Sequence, residues 1–311
     1  MPASNGKYFP YFPPIKKKGG NPIFRILKIG PLLLLAVSMA SCSLLRTGYA
    51  SLKSTSDFKP IELDKRVLAE PGAEDLAKQV AAYLPEAVST VEKQQYRDFV
   101  KPIEIYVCAS ADSFASHTGL SKQVRGALTT KLFLSGKLKN PELNKTTKAI
   151  LIHELSHLNL QQRLGIYHYS ANLPAWFQEG LAVLVSNGGG AENVSEAEAE
   201  KAILEGKHFI PEPEGSFWFH KSGSSYGLEA HMFYKQSSLF VGYLKNFSEV
   251  QFVLFMLAIE DGGDFDKSFR SKYGMSIDEA WQDFVTMLRN KQGEMRFACT
   301  FLTATEASIL V

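Results

Sequence analysis

Residues 150–158 read ILIHELSHL, a short apolar run that holds two histidines and a glutamate. In a helix, residues four apart share one face. The imidazoles of His153 and His157 then point to the same place, and Glu154 sits one step round, within reach of a water held there. Two ring nitrogens and a carboxylate in the order H-E-x-x-H make a metal-binding pattern with a general base beside it. With 7 histidines among 311 residues, a motif this short also arises by chance, so its meaning depends on its surroundings.

At 45% hydrophobic and 21% charged, the chain has a globular balance, with enough apolar residues for one large or two small cores. A net charge of +2 makes no case for nucleic acid or an acidic partner. Lys16, Lys17, Lys18, Arg25 and Lys28 form a basic lead-in to IGPLLLLAVSMAS (29–41), which is shorter than the ~20 residues a spanning helix needs. Ala40 and Ser41 then precede Cys42, an arrangement that resembles a bacterial lipoprotein signal, in which the cysteine becomes the lipidated first residue of the mature chain. The other readings are an ordinary cleaved signal peptide and a short anchor. Lipidation at Cys42 implies a lipid membrane as partner and the bacterial cell envelope as location, with the domain facing the periplasm or the exterior. Of the two remaining cysteines, Cys108 lies in an apparent strand and reads as a buried, unreactive thiol. Cys299 lies near the C-terminus, and no disulfide framework is expected.

The rest of the chain divides by composition. Residues 1–41 read as signal peptide and 42–57, Ser-rich and without period, as a tether. Residues 58–188 read as an α+β part: helices on either side of Pro85, a strand in KPIEIYVCAS, a short helix in SADSFASHTGL, and a hairpin in VRGALTTKLFLS punctuated by Gly126 and Gly136. The H-E-x-x-H helix is expected from about Leu143 to Arg163, followed by a turn region, GIYHYSANLP. A second helix follows in PAWFQEGLAVLVS, with Pro174 in its first turn. NGGGAENVS reads as a flexible loop, and Ser195 with Glu198 as a capping box. Residues 189–292 read as mostly helical, with helices around 227–245, 248–260, 264–273 and 276–290. The segment 293–311 carries no assignment.

Zinc held by two histidines in a catalytic site takes one more protein ligand and leaves a position for water. Glu179, 22 residues beyond His157, lies one turn into the second helix among Trp176, Phe177, Leu181, Val183 and Leu184. A carboxylate in such company needs a metal or a counter-charge. HELSH followed by PAWFQEGLA resembles the gluzincin metallopeptidases, and most of all the bacterial peptidase-MA-like proteins, whose second helix carries W-x-x-E-G-x-A; Trp176, Glu179, Gly180 and Ala182 match it. The resemblance covers roughly residues 100–290. It implies an α+β fold in which a small N-terminal sheet and the active-site helices precede a mostly helical C-terminal half. It also implies a zinc-dependent peptidase with His153, His157 and Glu179 as metal ligands, Glu154 as general base, and a peptide or protein as substrate.

Peptide hydrolysis also calls for a donor to the developing oxyanion. HMFYKQSSLFVGYL (231–244) is similar to the aminopeptidase segment that supplies a tyrosine, which points to Tyr234, with His231 and Tyr226 as rivals. His168, between the two metal helices, reads as a loop histidine or a lining residue. VRGALTTKLFLS resembles the gluzincin edge strand that pairs with an extended peptide. It lacks the G-x-M-E-N pattern with which aminopeptidases hold a free amine, so an endopeptidase is expected. The alternative is a catalytically inactive lipoprotein of the same fold acting as a binding or structural module; no oligomeric state is legible.

Overall fold

Ile105, Tyr106 and Val107 are buried without a break, as in a strand covered on both faces, and they form the central strand of a sheet. The computed structural model describes residue 50 and residues 52–216 and 221–309, of which 294–309 are described as helix backbone alone. The strands are β1 (Lys59–Pro60), β2 (Val67–Ala69), β3 (Ile105–Val107), β4 (Gly126–Leu128) and β5 (Leu132–Leu134), in the order β1-β2-β3-β5-β4. β2, β3 and β5 run parallel, with Val67 beside Ile105 and Ile105 beside Leu132, while β1 and β4 are antiparallel edges. Side chains alternate across the sheet. Ile105, Val107, Leu132 and Leu134 join the main core, while Tyr106 and Phe133 face a smaller cluster with Phe58, Phe114 and Ala127.

Helix α1 (Glu74–Gln95) runs straight through Pro85, which corrects the expectation of two helices. Pro85 lies on the exposed face, and Leu76, Val80 and Leu84 before it share a buried face with Ala87 and Val91 after it. Packing of both halves on one core outweighs the ~3 kcal/mol cost of an interior proline. Helix α2 (Ala111–Thr118) is capped by Ser110, and β4 and β5 form the hairpin expected around residues 124–135.

Residues Pro141–Asn144 make their own short helix, α3, with Asn140 as cap. Helix α4 (Thr147–Asn172) therefore starts later than Leu143, and it continues past Arg163. At Gly165 the backbone turns out of the helix (φ 73, ψ 159) and then resumes it, a conformation glycine adopts without penalty. The segment read as a turn region is thus a second helical stretch set at a new angle.

The second half is helical: α5 (Ala175–Val185), α6 (Glu196–Leu204) with the Ser195–Glu198 capping box, α7 (Ala230–Phe247), α8 (Glu249–Glu260), α9 (Phe265–Tyr273) and α10 (Ile277–Ile309). The backbone of residues 294–309 continues α10. Aromatic rings tie these helices together: Trp176 lies 5.1 Å from Phe240, Phe177 lies 5.0 Å from Phe265, and Trp281 lies 5.0 Å from Phe240. Each fully buried ring contributes ~1.5–3 kcal/mol, so α5 is held firmly against the C-terminal helices. Cys108 is a free, buried thiol whose pKa burial pushes up to about 12, in keeping with an inert core residue.

Candidate metal centre

Helix α4 is buried on nearly every side around residues 150–160, so its polar side chains must find partners inside the protein. His153, Glu154 and His157 are only 5%, 6% and 8% exposed. The two imidazoles meet edge to face, with their Nε2 atoms 3.1 Å apart. His153 Nδ1 lies 2.8 Å from the carbonyl oxygen of Gly189. A carbonyl only accepts, so this nitrogen carries a proton, and in the neutral ring Nε2 is then bare.

Glu179 comes to the same point from α5. Its Oε2 lies 3.4 Å from His153 Nε2 and 3.7 Å from His157 Nε2, and this buried oxygen has no hydrogen-bond donor. Burial works against the charged carboxylate, but the two histidines outweigh it and hold Glu179 far below the usual carboxylate range. The same pairing acts on His153: burial lowers its pKa, yet Glu179 and Glu154 raise it on balance. Two imidazole nitrogens and an orphaned carboxylate oxygen therefore converge on a spot that calls for a cation. Zinc with tetrahedral bonds of 2.0–2.1 Å keeps its donors about 3.3–3.4 Å apart, and the three observed separations bracket that spacing. The cluster fits a metal ion.

Each motif residue of α5 has a physical task. Trp176 and Ala182 are buried in the core. Gly180 lets α5 touch α7, since a Cβ there would lie 2.6 Å from the carbonyl oxygen of Ser237. That close approach brings Tyr234 of α7 to the cluster, its ring 6.0 Å from His153. The Glu179 charge, and then burial, push the Tyr234 phenol well above its ordinary range, so its hydroxyl stays a donor. The two rivals are engaged elsewhere. Tyr226 donates its hydroxyl to Glu212, and His231 Nδ1 accepts the Asn193 backbone N–H at 3.4 Å.

Glu154 faces the free edge of the sheet. A Cβ at Gly126 would lie 2.8 Å from its Cγ and 2.9 Å from its Oε1. Burial raises the Glu154 pKa, while the histidines and a hydrogen bond from the Leu128 backbone N–H oppose that shift. Arg125 and Thr129 turn their backbone groups towards β5, through Ser135 N–H to Arg125 O and Thr129 N–H to Lys131 O. By the alternation of an antiparallel pair, Gly126 and Leu128 between them turn theirs to the open edge.

Two features of the site were not foreseen in the sequence. The stretch 187–195, read as a flexible loop, is packed against α4. A Cβ on Gly189 would lie 2.5 Å from the Ala149 carbonyl oxygen, and Gly190, at φ +88, lies against the His153 ring. Glu192 of the same loop pairs with Arg125 at 2.7 Å. His168 is exposed, whereas its neighbour Tyr169 is buried with its hydroxyl 2.8 Å from His157 Nδ1. No local signal marks Tyr169 in the sequence, because only the change of direction at Gly165 brings it back over the histidine.

Cys42 and the apolar stretch 29–41 lie outside the described residues; among those described, no helix is long and apolar enough to cross a membrane. Scanned against protein-family models, curated proteins and solved structures, the chain matches none.

Proposed function

We propose that this chain is a zinc-dependent peptidase. The observation that carries the reading is the convergence of His153 Nε2, His157 Nε2 and an undonated Glu179 oxygen beside a second, separate carboxylate, Glu154. A structural zinc is normally closed by four protein ligands, and here three donors converge. Held by His153, His157 and Glu179, a zinc ion would polarise a carbonyl and lower the pKa of water to about 7.

The chain's own groups supply the rest. Glu154 takes the proton from the attacking water and passes it to the leaving amine, and its raised pKa suits a group that must both accept and release a proton. Tyr234 donates to the developing oxyanion. The outward N–H and carbonyl of Gly126 and the outward carbonyl of Leu128, whose N–H is given to Glu154, hold an extended peptide as an added strand, which lays the peptide beside Glu154. With the lipid-modification signal at Cys42, the enzyme works tethered in the cell envelope on peptide or protein substrates, as an endopeptidase.

The test is Glu154→Gln. Cleavage of an unstructured protein such as casein should be abolished while the purified chain keeps its zinc, and a chelator should abolish cleavage by the unaltered chain. Full turnover by the Gln variant would reject the assignment of Glu154, and failure of the unaltered chain to cleave any unstructured protein while holding zinc would favour the inactive module.

A further inference from the structure

His153 and His157 are oriented by different kinds of partner. His153 donates to a backbone carbonyl, which places a proton on its Nδ1. His157 Nδ1 faces the hydroxyl of Tyr169 at 2.8 Å, a group that can either donate or accept. Two proton arrangements therefore fit the His157–Tyr169 contact. In one, Tyr169 donates to His157 Nδ1, and His157 Nε2–H donates to His153 Nε2 across the 3.1 Å gap. In the other, His157 Nδ1–H donates to Tyr169 and its Nε2 is bare, which is the form a metal requires.

We propose that Tyr169 is a positioning residue that lets His157 change tautomer when metal arrives. It rests on the zinc-site reading above and adds to it the residue that governs loading. The first arrangement is a closed chain of hydrogen bonds for the metal-free site; the second presents both ring nitrogens to a cation. The exchange moves one proton from Nε2 to Nδ1 of the same ring and reverses the tyrosine hydroxyl, so it releases no proton. A carboxylate in place of the phenol accepts only, and would hold the ring in the second form throughout.

Tyr169 is itself firmly seated. Gln178, 3% exposed, donates its side-chain amide to the carbonyl oxygens of Leu173 at 2.7 Å and Tyr169 at 3.3 Å. Gln178 precedes the ligand Glu179, so the same turn of α5 that supplies the third donor also pins the segment that orients the second. The ring of Tyr169 stands 6.4 Å from that of His157, nearly perpendicular to it, so its contribution is the hydroxyl rather than stacking.

The experiment is Tyr169→Phe in the full chain, which keeps the ring and removes the hydroxyl. Zinc affinity, measured by competition with a chromophoric chelator, should fall about 10- to 100-fold, the usual cost of losing an outer partner of a metal histidine. His168→Ala on the exposed neighbour should leave affinity unchanged. In the unaltered chain, nitrogen-15 spectra of the histidine rings should show the proton of His157 on Nε2 without zinc and on Nδ1 with it. Equal zinc affinity for Tyr169→Phe, or a His157 proton on Nδ1 in both states, would overturn the proposal while leaving the metal site intact. An unaltered chain that binds no zinc would instead overturn the metal reading and this proposal with it.

Discussion

Gly126→Ala places a single methyl group between the edge strand and the proposed base. An ideal Cβ there lies 2.8 Å from Glu154 Cγ, 2.9 Å from Glu154 Oε1 and 2.9 Å from Ile150 Cγ2, which is 0.5–0.6 Å inside an ordinary 3.4 Å contact. Gly126 lies in a strand and has no positive φ, so its backbone accepts alanine and the whole effect falls on the neighbours. Ile150 is locked in the core, so the Glu154 side chain gives way. A displacement on the order of 1 Å at a catalytic group costs about 10²-fold in rate, equal to ~2.7 kcal/mol of transition-state stabilisation. Overpacking removes about 1–3 kcal/mol of folding stability. The atoms nearest the new methyl belong to Glu154 and Ile150 and not to His153, His157 or Glu179, so zinc affinity should hold. Zinc content, casein cleavage and urea unfolding, measured on the same preparations, separate these effects. Turnover unchanged in a folded, zinc-loaded variant would refute the placement of Glu154 beside the strand.

Tyr234→Phe should keep the zinc and lose about 10²- to 10³-fold in turnover, the usual loss for one oxyanion donor; unchanged kcat would remove Tyr234 from the mechanism. Gly180→Ala forces α5 away from the Ser237 backbone, 2.6 Å from the new Cβ. It should cost about 1–3 kcal/mol of stability and weaken zinc binding through Glu179 next door, which chelator competition measures. Glu260 is fully buried beside Arg97 at 3.2 Å, and burial pushes its pKa up to about 7. The folded chain therefore holds that proton more tightly than the unfolded chain, and stability should fall by about 3 kcal/mol as pH rises from about 4.5 to 7. Glu260→Gln should remove this slope in denaturant titrations across that range; an unaltered slope would place its origin elsewhere.

Local patterns carried much of the fold and the site. The His153–His157 spacing, the Ser195–Glu198 cap, the strand in KPIEIYVCAS and the hairpin about Gly126 all depend on a few consecutive residues, and the structure shows each of them. Glu179 was legible for a different reason, because a carboxylate among Trp176, Phe177 and Leu181 cannot stay unpartnered. What the sequence withheld depends on distant packing. α1 continues through Pro85 because residues far along the chain cover both of its halves. The glycine-rich stretch looked mobile by composition, yet Gly189 and Gly190 are small so that the backbone can press against Ala149 and His153. Tyr169 reaches His157 only through the kink at Gly165, whose direction no local pattern encodes.

The most direct measurement is anomalous diffraction at the zinc edge from crystals of the purified chain grown with zinc. One peak is expected about 2.0–2.2 Å from His153 Nε2, His157 Nε2 and a Glu179 oxygen, with Glu154 close by and outside the coordination shell. A peak elsewhere, no peak at all, or a Glu179 side chain turned to solvent would contradict the metal centre.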